Sequence, residues 1–242
     1  MGKSVICVIP ARLGSHRMEQ KMLAPLKGKP LVVQTMEAAL RVPLFDKVVV
    51  AVDCQELYEV VTLHGGEAVY TSSECKSGTE RLIELHQKKK YHADTWVNWQ
   101  GDEPFITTKM IKTLLQSCEE VSTLKKKIMN LEEAASPDVV KVVSDKGGRA
   151  LYFSRAQIPY FRDERETDLY KHIGIYAYSS QALGKMAGFS PCSFEEVEKL
   201  EQLRFLYEGL SIQVHETKEE TLGIDTEEEL QLAQRLDLSH AT

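Results

Sequence analysis

The sequence predicts an α/β fold with a predominantly parallel mixed sheet, flanked by helices and carrying a smaller β-rich insertion. Strand-like and helix-like segments alternate through the first half, as in parallel sheets with right-handed crossovers. The second half contains several short strands and a turn that indicate a hairpin. No linker rich in Pro, Gly or Ser divides the 242 residues, so we expect a single domain over residues 1–242.

The elements of the first half follow from the spacing of their apolar residues. Short apolar runs predict buried strands at 4–9, 47–52, 68–71 and 95–99. Apolar residues at helical spacing predict helices at 31–40, 55–63, 77–90 and 107–118. Pro30 precedes the first helix, and Gly65 and Gly66 follow the second, which are favoured positions for these residue types.

The second half is less regular. Segments 138–144 and 150–154 are strand-like and flank a turn at 146–148, which predicts the hairpin. A polar loop is expected at 159–168, strands at 172–178 and 211–215, and one helix over 194–207 with its apolar residues on one face. A last helix begins at Thr226, with acidic residues in its first turn.

Charge and cysteine content exclude several classes of protein. The net charge of −6 argues against general nucleic-acid binding. The five cysteines are scattered and odd in number, so we expect no disulfide framework or structural zinc, and a cytoplasmic location. No apolar run is long enough to span a membrane, and the chain enters a strand directly, so we expect no signal peptide.

A basic loop follows the first strand. Residues 10–30 contain five cations and one anion, a local charge of +4 in an acidic protein. Arg12, Arg17 and Lys21 lie at the carboxyl end of the strand, where open α/β sheets bind ligands. A nucleotide triphosphate is the first hypothesis, and a solvated basic loop is the alternative. The P-loop and G-x-G-x-x-G patterns are absent, so loop side chains and backbone N–H groups must hold the phosphates.

Two carboxylates are candidates for binding Mg²⁺. Asp102 follows a predicted buried strand, and Asp225 precedes the last helix. Two carboxylates and a triphosphate make a plausible set of oxygen ligands for this ion. The alternatives are a turn carboxylate for Asp102 and a helix N-cap for Asp225.

Several separate segments carry a resemblance to a known family, and their joint order is more specific than any one of them. They include Ile9-Pro10-Ala11-Arg12, Ser77-Gly78-Thr79-Glu80-Arg81, Gln100-Gly101-Asp102-Glu103-Pro104, Ala150-Leu151-Tyr152-Phe153-Ser154-Arg155, His172-Ile173-Gly174-Ile175-Tyr176 and Leu200-Glu201-Gln202-Leu203-Arg204. Over roughly residues 4–236 the chain resembles the CMP-Kdo synthetases, the 3-deoxy-manno-octulosonate (Kdo) cytidylyltransferases of lipopolysaccharide biosynthesis.

The resemblance implies a Rossmann-like nucleotidyltransferase fold, a single cytidylyltransferase domain and the reaction of CTP with Kdo to give CMP-Kdo and pyrophosphate. It also implies Mg²⁺ as cofactor and a homodimer. The implied catalytic residues are Arg12, Arg17, Lys21 and Asp102, of which the three cations bind the triphosphate. The implied metal ligands are Asp102 and Asp225. The implied nucleotide pocket contains Ser77, Gly78, Thr79 and Arg81. The implied sugar-acid pocket contains Gln100, Arg155, His172, Tyr178, Glu201 and Gln202, with Arg155 suited to pair with the carboxylate.

The basic loop departs from the family pattern Ser-[Ser/Thr]-Arg-[Leu/Phe]-Pro-Gly-Lys-Pro. Glu19 and Gln20 stand where that pattern has Pro and Gly, while the cations stay in register. The missing Pro and Gly change the backbone angles open to the loop. Two other functions therefore stay open: a cytidylyltransferase for 8-amino-Kdo or a nonulosonate, and a non-catalytic nucleotide-binding protein.

Overall fold

A computed structural model describes residues 2–14, 18–163 and 167–236. Contacts divide the chain into two compact units. Unit 1 comprises the described residues of Met1–Lys112 and Glu219–Thr242, and unit 2 comprises Thr113–Lys218. This division does not test the single domain expected over residues 1–242, which stays a prediction.

Unit 1 is built on a parallel sheet in the order β6-β1-β4-β5. Its strands are β1 (Val5–Ala11), β4 (Lys47–Val52), β5 (Ala68–Tyr70) and β6 (Thr95–Asn98). β1 is buried along its whole length. Such continuous burial is typical of a central parallel strand covered on both faces.

The helices of unit 1 are α1 (Leu31–Leu40), α2 (Gln55–Leu63), α3 (Gly78–Gln87) and α9 (Glu227–Ala233), while α4 (Thr108–Leu114) contains the boundary between the units. The first three pack against the sheet. α1 packs against β1 and β4, α2 against β4 and β5, and α3 against β1 and β6. The alternation predicted for the first half is thereby confirmed, with helix 107–118 ending earlier than expected.

A small hairpin that the sequence patterns missed follows the basic loop. It pairs β2 (Pro25–Leu26) with β3 (Lys29–Pro30). Lys27 and Gly28 both have positive φ in its turn, as a two-residue hairpin turn requires. Leu26 packs in a buried apolar cluster with residues that include Ile224 and Leu230, which fixes the segment before α9.

Unit 2 contains five strands and four helices among its described residues. The strands are β7 (Val121–Lys127), β8 (Lys141–Ser144), β9 (Ala150–Ser154), β10 (Tyr170–Ser179) and β11 (Ile212–Glu216). β10 pairs antiparallel with β7 and β8, β8 with β9 as the predicted hairpin, and β11 runs parallel to β7. The β-rich portion predicted for the second half is confirmed. Strand β7 was not predicted.

One element prediction in unit 2 is wrong. The single helix expected over 194–207 is two helices, α7 (Ser193–Glu198) and α8 (Gln202–Tyr207). Lys199 has a left-handed conformation with φ of 55°, which ends α7. Apolar spacing continues across this break, so periodicity alone did not reveal it. The other helices of the unit are α5 (Leu131–Ala135) and α6 (Ser180–Met186).

Among the residues described, no helix has both the length and the apolar character needed to cross a membrane.

Candidate active site

A cavity of about 350 Å³ lies in unit 1. Its walls come from the loop after β1, the start of α3, the turn after β6 and the segment before α9. Parallel strands bring their carboxyl ends to one edge of a sheet, which is where such folds bind ligands. The predicted site residues that line it are Arg12, Lys21, Ser77, Gly78, Arg81, Gln100, Asp102 and Asp225.

Lys21 joins the two candidate metal ligands. Its Nζ donates to Asp102 Oδ2 at 2.5 Å and to Asp225 Oδ1 at 2.7 Å. The lysine side chain is only 9% exposed. Burial opposes its charge, but the two carboxylates outweigh that effect and raise the pKa of Lys21. The structure therefore brings one predicted phosphate-binding cation and both predicted metal ligands into one contact group.

Backbone contacts align the two carboxylates. The Ile224 N–H donates to the Asp102 carbonyl at 2.9 Å, which ties the turn after β6 to the segment before α9. Thr226 caps α9 through a capping box with Glu229. The N-cap is thus Thr226 and not Asp225, so the alternative role considered for Asp225 does not hold.

The donor set fits a hard divalent cation. Asp102 and Asp225 supply carboxylate oxygens on either side of an ammonium group, so this place already accommodates positive charge. Within the described parts of the chain, no cluster of three His, Cys, Asp or Glu side chains is arranged to hold a metal. Two protein carboxylates completed by nucleotide phosphates are a usual arrangement for Mg²⁺.

A third carboxyl group borders this pair. Glu103 Oε2 accepts a hydrogen bond from Thr221 Oγ1 at 2.8 Å. Burial, followed by the charge of Asp102, raises the pKa of Glu103 to about 7. When protonated, Glu103 adds no negative charge for Lys21 to balance.

Arg81 is buried, and its hydrogen bonds stabilise the predicted nucleotide pocket. Its guanidinium donates to Thr71 Oγ1 at 2.6 Å and to Asp53 Oδ2 at 3.2 Å. The other Asp53 oxygen accepts from the Leu13 N–H at 3.2 Å. Arg81 and Asp53 together hold the start of the basic loop against the ends of β4 and β5. The sequence analysis missed Asp53, although its position directly after a buried strand marks it.

The other pocket residues lie at the start of α3. Ser77 is the N-cap, and its hydroxyl accepts from the Glu80 N–H at 3.2 Å. A Cβ at Gly78 would lie 2.9 Å from Pro10 Cγ, so only glycine allows this close approach. Thr79 is buried and is not among the residues that line the cavity.

Gln20 and Glu19 stand in the basic loop where the family pattern has Gly and Pro. Gln20 has φ of 49° and ψ of 32°, the left-handed conformation that glycine adopts without strain. Glu19 is exposed and is not among the residues that line the cavity. Arg12 is exposed and lines the cavity, while Arg17 lies outside the described residues.

The other five predicted sugar-acid residues lie in unit 2, whereas Gln100 lies in unit 1. Arg155 follows β9, and its guanidinium donates to the carbonyls of Glu198 and Pro137 at 2.8 and 2.9 Å. Glu198 also accepts from Ser154 Oγ and the Arg155 N–H through its carboxylate, at 2.6 and 2.8 Å. Glu198 was not predicted, because its contacts depend on the helix break at Lys199.

His172 and Tyr178 lie on β10, and Glu201 and Gln202 at the start of α8. The rings of His172 and Tyr176 are 5.3 Å apart, and those of Tyr176 and Tyr178 are stacked at 5.8 Å. Burial lowers the pKa of His172 to about 3, so its ring is neutral.

Tyr176 is a candidate site residue that the sequence analysis did not select. Its hydroxyl is buried and has no hydrogen-bond partner among the described residues. Buried hydroxyls are rarely left unpaired, which makes Tyr176 a candidate for contact with a ligand. Tyr176 ends the segment His172-Ile173-Gly174-Ile175-Tyr176, one of those that resemble the family, and this position could have indicated it.

The parallel sheet, the basic cavity at its carboxyl edge and the paired carboxylates define a nucleotide-binding α/β protein. Comparison with known proteins narrows this class. The chain belongs to the cytidylyltransferase family, whose model matches residues 6–215.

Similar proteins cover nearly all of the chain. A 3-deoxy-manno-octulosonate cytidylyltransferase of Koribacter versatilis is 42% identical over 236 residues, covering 96% of this chain and 89% of that protein. One of the same name from Acidobacterium capsulatum is 41% identical, covering 96% of both chains. A solved CMP:2-keto-3-deoxy-manno-octonic acid synthetase complexed with CTP superposes with a TM-score of 0.90 at 38% identity, covering 96% of this chain and 97% of that one.

Proposed function

We propose that the chain is a cytidylyltransferase that activates Kdo with CTP, giving CMP-Kdo and pyrophosphate for lipopolysaccharide biosynthesis. The observation that carries the proposal is the full-length likeness, at a TM-score of 0.90, to a synthetase solved with CTP. Relatives about 40% identical over more than nine-tenths of the chain bear the matching enzyme name.

The cavity of unit 1 is proposed to hold CTP. Arg12 and Lys21 supply positive charge for the triphosphate, with Arg17 assigned the same role from its place in the family pattern. Arg81 keeps the pocket in shape through Thr71 and Asp53. Catalysis then depends on positioning and on neutralising the charge of the leaving pyrophosphate.

Mg²⁺ is proposed as the cofactor, held by Asp102 and Asp225 together with phosphate oxygens. When bound there, it would act as a Lewis acid toward the phosphate and lower the pKa of a nearby hydroxyl. In the reaction, a sugar hydroxyl oxygen forms a bond to the α-phosphorus, the bond to the β-phosphate oxygen breaks, and the hydroxyl proton is released.

Within unit 2, the sugar acid is proposed to contact Arg155, His172, Tyr178, Glu201 and Gln202. We add Tyr176, because its buried hydroxyl has no hydrogen-bond partner among the described residues. Arg155 Nη2 donates to no described residue, which leaves a donor for the sugar carboxylate.

A homodimer and a cytoplasmic location complete the proposal. Tyr160 and Met129 of unit 2 are 84% and 79% exposed, and apolar side chains of this kind are common at subunit interfaces. All five cysteines are free, which agrees with a reducing compartment.

The test is pyrophosphate release from CTP with Kdo, 8-amino-Kdo and a nonulosonate, with and without Mg²⁺. We expect Mg²⁺-dependent release with Kdo. Asp102→Asn should reduce it by at least 10²-fold, as expected when transition-state charge loses its stabilisation. Asp168→Asn is the matched control, because Asp168 is 52% exposed and pairs with Lys127.

Other outcomes contradict parts of the proposal. Near-normal turnover by the Asp102→Asn variant would refute the metal assignment. Preference for another sugar acid would replace Kdo as substrate, and calorimetric binding of CTP without turnover of any sugar acid would favour a non-catalytic protein.

A further inference from the structure

Thr123 of β7 has three polar atoms around its hydroxyl. Oγ1 lies 2.9 Å from His172 Nε2, and 3.1 and 2.8 Å from the carbonyl oxygens of Ile173 and Ile175. The threonine is fully buried, so water does not compete for these contacts. The register between β7 and β10 shifts here, with Ile173 opposite Leu124 and Tyr176 opposite Thr123. The hydroxyl thus occupies a β-bulge between His172 and Tyr176.

The number of protons decides how these atoms are paired. A threonine hydroxyl has one proton to donate and two lone pairs to accept with. Both carbonyl oxygens can only accept, so the hydroxyl proton must serve them. The hydroxyl oxygen is then the acceptor toward His172, and Nε2 must carry a hydrogen. In a neutral ring, Nδ1 is consequently left with a lone pair.

The surroundings of His172 hold the ring in one orientation. Phe153 meets it edge-on at a centroid distance of 5.1 Å, and Tyr176 lies against it at 5.3 Å. Nδ1 makes no hydrogen bond to any described residue. His172 Nδ1 and the buried hydroxyl of Tyr176 therefore belong to neighbouring rings. Neither atom has a hydrogen-bond partner in the part of the chain that is described.

We propose that Thr123 is a positioning residue for sugar-acid binding, an inference that rests on the proposed function. Thr123 fixes His172 in the Nε2–H tautomer, so that Nδ1 accepts a hydrogen bond from a hydroxyl group of the sugar acid. With the opposite tautomer, three acceptors would compete for the single hydroxyl proton of Thr123. Nδ1 would then carry the ring proton and could only donate, so it could not accept a hydrogen bond from a hydroxyl group of the sugar acid.

Nitrogen NMR of protein labelled with ¹⁵N-histidine tests the tautomer directly. His172→Gln identifies the His172 signals among those of the seven histidines. We expect the proton-bearing signal on Nε2, the lone-pair signal on Nδ1, and a shift of the Nδ1 signal when Kdo is added. A proton on Nδ1 in the unliganded wild-type protein would overturn the proposal, and this measurement needs no variant of Thr123.

Two substitutions of Thr123 test its role. Thr123→Val removes the hydroxyl at nearly constant volume, and Thr123→Ser retains it. We expect Thr123→Val to lose the single tautomer and to raise KM for Kdo about tenfold, equivalent to about 1.4 kcal/mol, with KM for CTP unchanged. Thr123→Ser should behave as wild type in both measurements. An unchanged tautomer and KM for Kdo in the valine variant would refute the positioning role.

The two proposals fail in different ways. Turnover of Kdo by a protein whose His172 carries its proton on Nδ1 refutes only the role of Thr123. Absence of turnover with every sugar acid refutes the proposed function, and with it the sugar-acid part of this inference.

Discussion

Gln20 has a backbone conformation that glycine adopts without strain. Its φ of 49° places a side-chain-bearing residue in the left-handed region, where the family pattern has glycine. That conformation costs a non-glycine residue about 1–2 kcal/mol. Directly after it, a short 3₁₀ helix over Lys21–Leu23 buries Lys21 beside the two carboxylates. The strain is therefore located where the loop must turn Lys21 inward.

Gln20→Gly should stabilise the protein. Glycine relieves the left-handed strain but is more flexible when unfolded, so we expect a net gain of about 0.5–1 kcal/mol in the free energy of unfolding. Urea denaturation followed by circular dichroism measures it. Glu19→Gly is the control, because Glu19 is exposed and is not among the non-glycine residues with positive φ. Equal effects of the two substitutions would contradict this account.

Lys21→Met should increase the effect of divalent cations on stability. Without Nζ, Asp102 and Asp225 lose their partner, which should cost about 3 kcal/mol in the absence of metal. Mg²⁺ should then raise the melting temperature of the variant more than that of wild type, because it no longer competes with an ammonium group. Differential scanning calorimetry with and without Mg²⁺ measures this.

Lys109→Met is the control for that experiment. Lys109 is 74% exposed and pairs with Glu219, so its loss should change neither stability nor the response to Mg²⁺ appreciably. A Lys21→Met variant that remains indifferent to Mg²⁺ would show that the carboxylate pair does not bind the ion without nucleotide.

At the scale of elements, the break between α7 and α8 creates the support for Arg155. Because α7 ends at Glu198, the carboxylate of that residue can reach Ser154 Oγ and the Arg155 N–H, and its carbonyl can accept from the guanidinium. Lys141 of β8 adds to this support, since its buried Nζ donates to the Arg155 carbonyl at 2.5 Å. An uninterrupted helix over 194–207 would have kept the Glu198 carbonyl for its own hydrogen bonds.

Glu198→Gln should weaken sugar-acid binding selectively. The amide replaces one acceptor oxygen by a donor, so one charge-assisted hydrogen bond is lost, at a cost of about 1.5–3 kcal/mol. We expect KM for Kdo to rise at least tenfold while KM for CTP stays the same. Steady-state kinetics with each substrate varied in turn measure this, with Glu196→Gln as the control on the exposed side of α7. A matching rise in KM for CTP would indicate general damage to the fold.

Elements with regular apolar spacing were predictable, and elements that break a local rule were not. Strands β1 and β4 are apolar runs that are buried, so pattern and structure agree. β7 was missed because three lysines, at 125–127, end it and suggest solvent-exposed surface. In the structure, however, Lys125 lies over the Tyr170 ring at 4.2 Å, and Lys127 pairs with Asp168.

The candidate site likewise has residues that the sequence patterns predict and contacts that they do not. Asp102 and Asp225 were predictable, because each follows or precedes an element whose position the pattern indicates. The bridge that Lys21 makes between them depends on three distant segments meeting, which no local pattern encodes. The role of Thr123 could not be predicted from the sequence for a related reason, because its contacts depend on a bulge in a neighbouring strand.

At the scale of the whole molecule, Glu103 links folding stability to pH. Its pKa of about 7 in the folded state exceeds the ordinary value of 4.5. The folded state thus binds a proton that the unfolded state has lost, so the associated stability is present below about pH 4.5 and disappears as pH rises through 7.

Glu103→Gln should remove this dependence in the protein without metal or nucleotide. We expect the variant to gain about 2–3 kcal/mol over wild type at pH 8 and to match it near pH 4.5, because a neutral amide replaces a carboxyl that resists ionisation. Urea denaturation at the two pH values measures the difference. Glu220→Gln, at an exposed position, is the control. The same difference at both pH values would refute the link to the Glu103 proton.

The hydrogen bond from Ile224 to the Asp102 carbonyl spans 122 positions of the chain. Unit 1 is interrupted in sequence by Thr113–Lys218, so its last segment is synthesised only after all of unit 2. Before unit 2 is complete, a growing chain contains all four strands of the parallel sheet, yet it lacks Asp225 and the capped helix that follows it. Completion of the carboxylate pair is thereby coupled to synthesis of the segment that follows unit 2, and a product terminated before that segment would lack the proposed metal site.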